Sequence, residues 1–280
     1  MKRAIALGAV CALLALLSPL GLSTPDDPAI SGSITPPFLQ EEPVNVRDYP
    51  VYCDSLTADD GFRFSQECYE WSKYDGFNVA VHRRVLRDQL AADVGRLRDV
   101  VRAEITMIAL RVPSAAVEKL RATPIILADF RICGGRACYR SWQDILWVEV
   151  GPNESGWTYV DYAPIGLNAI FHELAHAYHA QHLPDGYDND CVSQLHTDAT
   201  LDGTFEDVAN RHPSLNPTDH SGPHHDTAYA MTNREEFFAE MSQAYYVGNS
   251  QEPYNRAMLM EWDHDTALAI QEIWEGKRCN

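Results

Sequence analysis

His172-Glu173-Leu174-Ala175-His176 lies inside a stretch of helical apolar periodicity, roughly Pro164 to His182, that Pro184-Asp185-Gly186 brings to a stop. At ~100° per residue, two histidines four apart differ by only ~40° around the axis and stand one turn apart. That spacing directs two imidazoles to one zinc ion. Glu173 projects beside them, where a carboxylate can take a proton from an activated water. Ile170, Phe171, Leu174 and Tyr178 fall on the other side, giving the helix a core face and a polar face. A chain carrying this segment must turn the polar face toward a cleft and bring a third ligand from elsewhere, leaving a fourth position open.

Three residues compete for that third position. His182 completes a pattern one residue away from the long His-Glu-x-x-His-x-x-Gly-x-x-His motif, but His179 stands where that motif has glycine. Without the glycine the helix continues, and His182 points ~120° away from His176. His179 shares the correct face but sits ~10 Å along the axis from His172, too far for one ion. The third candidate is on a later segment, Tyr229-Ala-Met-Thr232-Asn-Arg-Glu235-Glu236-Phe-Phe-Ala-Glu240. Thr232 and Glu235 read as a capping box at a helix start, which leaves Glu236 free. Glu240 and Gln243 share the face of Glu236, while Phe237, Phe238, Met241 and Tyr245 form the core side. One carboxylate would bind zinc and the other would support a ligand histidine. The bland alternative is a pair of solvated glutamates; their coincidence with the two histidines favours the metal.

His172-Glu173-x-x-His176 followed by Tyr229-x-x-Thr232-Asn233-x-x-Glu236-Phe237-Phe238-Ala239-Glu240 resembles the catalytic domain of anthrax lethal factor and its relatives, which include the secreted Pro-Pro endopeptidases. The resemblance covers about residues 120–247 and implies a zincin-like gluzincin metallopeptidase. It implies one zinc per chain on His172, His176 and Glu236, Glu173 as general base, Tyr229 stabilising the oxyanion, and Glu240 supporting the site. The chain departs from that pattern in a longer stretch between His176 and Glu236, which carries Cys191, and in having six cysteines beyond residue 23.

Export fits the rest of the chain. Lys2 and Arg3 precede an uncharged apolar run, Ala4 to Leu17, and small or breaking residues follow, as in a secretory signal peptide over 1–23. Cys53, Cys68, Cys133, Cys138, Cys191 and Cys279 then remain, an even number that reads as three disulfides in an exported chain. Closeness in sequence favours Cys53–Cys68 and Cys133–Cys138, leaving Cys191–Cys279. Residues 24–50 hold six prolines and read as an extended leader; 51–280 reads as one α+β catalytic domain. A net charge of −18 argues against nucleic acid and anionic membranes as partners, and the resemblance implies a peptide or protein substrate.

The periodicity further predicts a long first helix from Val81 to Ile108, a short one through Val117 and Leu120, a strand at Pro124–Ala128, and helices near Asn233–Val247 and Asn255–Trp274. Asp144–Val150 is expected to be an edge strand that pairs with extended substrate. Residues 185–228, rich in Asp, His, Pro and Gly, read as a surface loop. The rival reading from another class is a secreted zincin that keeps its metal but hydrolyses nothing.

Overall fold

Asp75 and Gly76 both adopt left-handed backbone, φ 46° and 89°, which is what a two-residue hairpin loop requires at both central positions. They join β1 (Tyr69–Tyr74) to β2 (Phe77–His82), and the chain then enters α1 (Arg83–Asp88) and α2 (Ala91–Arg111). The turn is fastened from outside: Arg121 Nε donates to the Asp75 carbonyl and Thr106 Oγ1 to the Asp75 carboxylate. This computed structural model describes residues 68–88, 91–129, 133, 136–152, 158–162, 168–210 and 224–279. The expected signal peptide, the leader and Cys53 lie outside them. All described residues belong to one unit spanning 45–280.

From α2 the chain continues through α3 (Ser114–Leu120), β3 (Ile125–Ala128), β4 (Ala137–Arg140), β5 (Ile145–Glu149) and α4 (Tyr159–Tyr162). The metal-motif helix is α5 (Ala169–His182), followed by α6 (Asp190–Asp202) and a small hairpin of β6 (Val208–Asn210) and β7 (His224–Asp226). The chain closes with α7 (Arg234–Tyr246), α8 (Arg256–Trp262) and α9 (His264–Trp274). Strands and helices are thus mixed as α+β, with a five-stranded sheet in the order β1-β2-β3-β5-β4. β3 runs parallel to β2 and β5, whereas β1 and β4 are antiparallel to their neighbours. The β2-to-β3 crossover carries α1 to α3, as a parallel pair demands.

Several expectations are corrected. Val81 belongs to β2, because β2 takes the chain as far as His82 before the helical run begins. Residues 185–228 are not simply a loop: α6 occupies their first half, started by Asn189, whose side chain accepts from Val192 N, and ended by left-handed Gly203. The closing helix is split at Asp263, which caps α9. Asp144–Val150 is not an edge strand: β5 lies between β3 and β4, and β4 forms the edge beside α5.

α5 and α7 pack side by side over a shared aromatic floor. Trp274 stacks on Tyr178 at 4.3 Å between ring centres, with Phe171 and Phe238 at 5.5 and 5.9 Å, and its indole N–H donates to Ser242. The two observed disulfides, Cys133–Cys138 and Cys191–Cys279, are those expected; Cys68 is also disulfide-bonded. No helix among the described residues is long and apolar enough to cross a membrane.

The amino terminus of α5 is capped from a distance. Its Asn168 makes no cap bond with its side chain; instead Glu104 of α2 accepts from the Ile170 backbone and from the Tyr159 hydroxyl, 2.7 Å away. Burial pushes the Glu104 carboxyl up to about 7, against both hydrogen bonds. The folded chain therefore holds a proton that the unfolded chain, titrating near ~4.3, releases. Stability from this group is complete below ~4.3, falls as pH rises to about 7, and is flat above, a loss of about 3 kcal/mol. Glu104→Gln should remove that slope and be the more stable protein at pH 8. Urea midpoints of both proteins across pH 5–8 test this; parallel profiles would refute it.

Candidate metal centre

Asn168, immediately before α5, sends its side-chain amide to the Val247 and Gly248 carbonyls at the end of α7. The two helices therefore run in opposite directions, and their polar faces meet in register. His172 meets Glu240 and Gln243, and one turn further on His176 meets Glu236.

Three ligand atoms converge at this seam. His172 Nε2 lies 3.0 Å from Glu236 Oε2, His176 Nε2 lies 3.4 Å from it, and the two imidazole nitrogens are 3.1 Å apart. Ligands held ~2.0–2.1 Å from a tetrahedral ion are ~3.3 Å from one another, so these separations fit one metal ion in their midst. Among the described residues, His172, His176 and Glu236 are the group placed to hold a metal. Their side chains are 10 to 17% exposed.

The tautomer of His172 follows from its other nitrogen. Nδ1 faces Glu240 Oε1 at 3.1 Å and Gln243 Oε1 at 3.2 Å, both acceptors, so Nδ1 carries the proton and the Nε2 lone pair points at the ligand cluster. Burial disfavours charge on His172, yet Glu236 and Glu240 outweigh it and hold the imidazole well above its ordinary range. For Glu236 burial likewise opposes charge, and the two histidines win, holding its carboxyl well below the usual carboxylate range. A metal ion would replace a proton here, so affinity falls as pH falls.

The start of α7 differs from expectation. Asn233, not Thr232, is the cap: its side chain accepts from Glu236 N at 2.8 Å. Thr232 has helical backbone at the end of a 3-10 turn, Tyr229–Met231, and cannot serve that role. The consequence for Glu236 is unchanged: its amide is tied to the cap and its carboxylate turns to the histidines. Tyr229, in the 3-10 turn, places its ring 6.3 Å from that of His172 and its hydroxyl against Glu236. Burial, reinforced by Glu236, lifts its phenol above the ordinary range, so it stays a donor.

Glu173 is positioned by the sheet. Its Oε2 accepts from the Tyr139 backbone N–H of β4 at 2.7 Å. Arg136 O bonds to β5 and Cys138 pairs with Trp147, so Ala137 and Tyr139 turn their backbone groups outward, toward the cleft. The rival histidines are elsewhere. His182 packs against Tyr178 and the Lys119 backbone. His179 is fully buried edge-on between Tyr187 and Phe238, and burial pushes its imidazole down to about 3.

Sequence reasoning missed the loop after α7. Asn249 Nδ2 donates to Glu240 Oε2 at 2.6 Å, and Gln251 Oε1 accepts from the Tyr229 backbone at 2.9 Å. A bridge from Asn210 to Gln251 and the Glu252–Ala209 backbone bond anchor this loop to β6. No local signal marks these amides; only the return of the chain past left-handed Gly248 puts them there.

No family model, no curated protein and no solved structure matches this chain. The site accordingly rests on its own geometry. Glu240→Gln, which keeps the shape but gives Nδ1 a weaker partner, should reduce divalent-metal affinity by about 10- to 100-fold. Competition against a chelator measures it; unchanged affinity would show that Glu240 does not orient His172.

Proposed function

We propose that this protein is a secreted zinc metallopeptidase of the gluzincin type, with a zincin-like catalytic unit. The observation that carries the reading is the joint placement of a two-histidine, one-glutamate cluster, a free carboxylate and a phenol around one cleft. Two imidazoles and a carboxylate are a common catalytic zinc set, and zinc when bound supplies a Lewis acid that polarises the scissile carbonyl and lowers the pKa of water.

The chain's own groups do the rest. The outward backbone of Ala137 on β4 is available to an extended peptide as an added strand, setting the scissile bond beside Glu173. Glu173, oriented by the Tyr139 amide, takes a proton from the attacking water and delivers it to the departing amine nitrogen. Water adds across the amide, yielding a carboxylic acid and an amine. The Tyr229 hydroxyl exchanges Glu236 for the oxyanion, a bond stronger in the transition state than in the ground state.

Elemental analysis should find one zinc per chain. His182→Ala should retain it, whereas Glu236→Ala should lose it; the opposite pattern would move the third ligand to His182. Glu173→Gln should keep zinc and lose about 10²- to 10⁴-fold in rate. Tyr229→Phe should lose about 10²- to 10³-fold, in kcat more than in KM. Incubation with a mixed peptide library, with and without chelator, is the primary assay. Full zinc occupancy without a single cleavage would leave a metal-holding binding protein in place of a peptidase.

A further inference from the structure

The cleft has two chambers that differ in charge. They share Ala137, His172, Glu173 and Tyr229, while His176 and Glu236 line the larger one, so the ligand cluster lies in the larger chamber where it borders the smaller. The smaller, about 310 Å³, carries Arg136 and Glu240, the carboxamides of Gln243, Asn249 and Gln251, and the small side chains of Ala169 and Ser250. The larger, about 520 Å³, is lined by Tyr139, Tyr187, Tyr229 and Glu235 and contains no lysine or arginine among its described lining residues.

Glu235 is the carboxylate there that neither binds the ligand cluster nor serves as the base. Its side chain is 27% exposed, and its cationic neighbour, Arg234, is engaged chiefly elsewhere: the guanidinium contacts Asp188 most closely and Ser193 at 3.1 Å, reaching Glu235 only at 3.4 Å. The set of Asp188, Glu235 and Arg234 thus retains one negative charge at the chamber's rim. Tyr187 lines the same chamber, its half-buried ring edge-on against His176 and His179. Burial, with Tyr139, Glu173 and Glu235 adding to it, keeps its phenol protonated. With zinc on the ligand cluster, the two charges of the ion are matched by Glu236 and Glu173, so Glu235 keeps the chamber net negative, and an aromatic ring lining the same chamber as that carboxylate suits an ammonium or guanidinium group.

The strand direction places that group in the substrate. The chain enters β4 from Arg136 at the smaller chamber and runs to Tyr139 at the larger. A peptide added antiparallel to it, the more stable pairing, runs the other way and puts its amino-terminal half in the larger chamber.

We propose that the larger chamber selects a lysine or arginine side chain one or two residues before the bond that is cut, with Glu235 as the charge partner and Tyr187 as the ring against which the side chain lies. This assignment rests on the peptidase reading above and names its substrate class.

The test uses the zinc-loaded full chain and peptide sets that differ only by Lys, Leu or Glu at each of the two positions before the scissile bond. For the wild type, kcat/KM should favour Lys over Glu by at least tenfold at one of them, less so at high salt. Glu235→Gln should compress that ratio about tenfold, and Glu235→Lys should reverse it in favour of the Glu peptide. The reversal is a gain that misfolding cannot produce. Cleavage with no preference at either position, or a preference that Glu235→Gln leaves intact, overturns the proposal while the peptidase reading stands. No cleavage of any peptide by the zinc-loaded protein overturns both.

Discussion

Two helices meeting through polar faces are the constraint on which the rest depends. α5 and α7 could have joined through apolar side chains all along, as their other faces do around Trp274. Instead the seam holds His172, His176, Glu236, Glu240 and Gln243, nearly removed from water. Burying two carboxylates is unfavourable unless positive charge accompanies them. The raised proton affinity of His172 is how the chain meets that demand alone. A divalent ion meets it better, with two charges at the point where three lone pairs converge. The Asn168 clamp on the last carbonyls of α7 keeps the register, since sliding by one turn would pair His176 with Glu240 and leave Glu236 without a partner.

What was legible in the sequence was periodic. Helical spacing alone put His172 with His176 and Glu236 with Glu240 on single faces, because those relationships are set by 3.6 residues per turn and survive whatever tertiary context surrounds them. The cap of α7 was misread by one residue, since Thr232 and Asn233 are both competent caps and only backbone geometry decides between them. The Asp75-Gly76 hairpin carried a strong local signal that the adjacent helical run obscured. α6 was hidden by its polar composition: only Val192, Leu195 and Ala199 are buried, a stripe too thin to stand out.

Asn249, Gln251 and the edge position of β4 were not legible at all. Strand order is a property of the whole sheet, and β4 and β5 are both short segments that could each have taken the outer place. Asn249 and Gln251 act through contacts made 9 and 22 residues away, by a loop whose path depends on β6. Chemistry that depends on periodicity could be found by inspection; chemistry that depends on chain return could not.

The Cys191–Cys279 bond closes a ring, with 88 residues separating its ends. Tyr229, Glu236, Glu240, Gln243, Asn249 and Gln251 all lie inside that ring, while His172, Glu173 and His176 lie outside it. Once formed, the bond confines that half of the site in the unfolded chain too, removing ~4–5 kcal/mol of chain entropy from the unfolded state. The ring begins only nine residues after α5 ends at His182. The motif helix packs on α7 inside the ring and on α2, α3 and β4 outside it, so it sits where the closed loop meets the rest of the chain. With the bond closed, a short tether holds α5 near α7, and their meeting becomes an encounter at raised effective concentration.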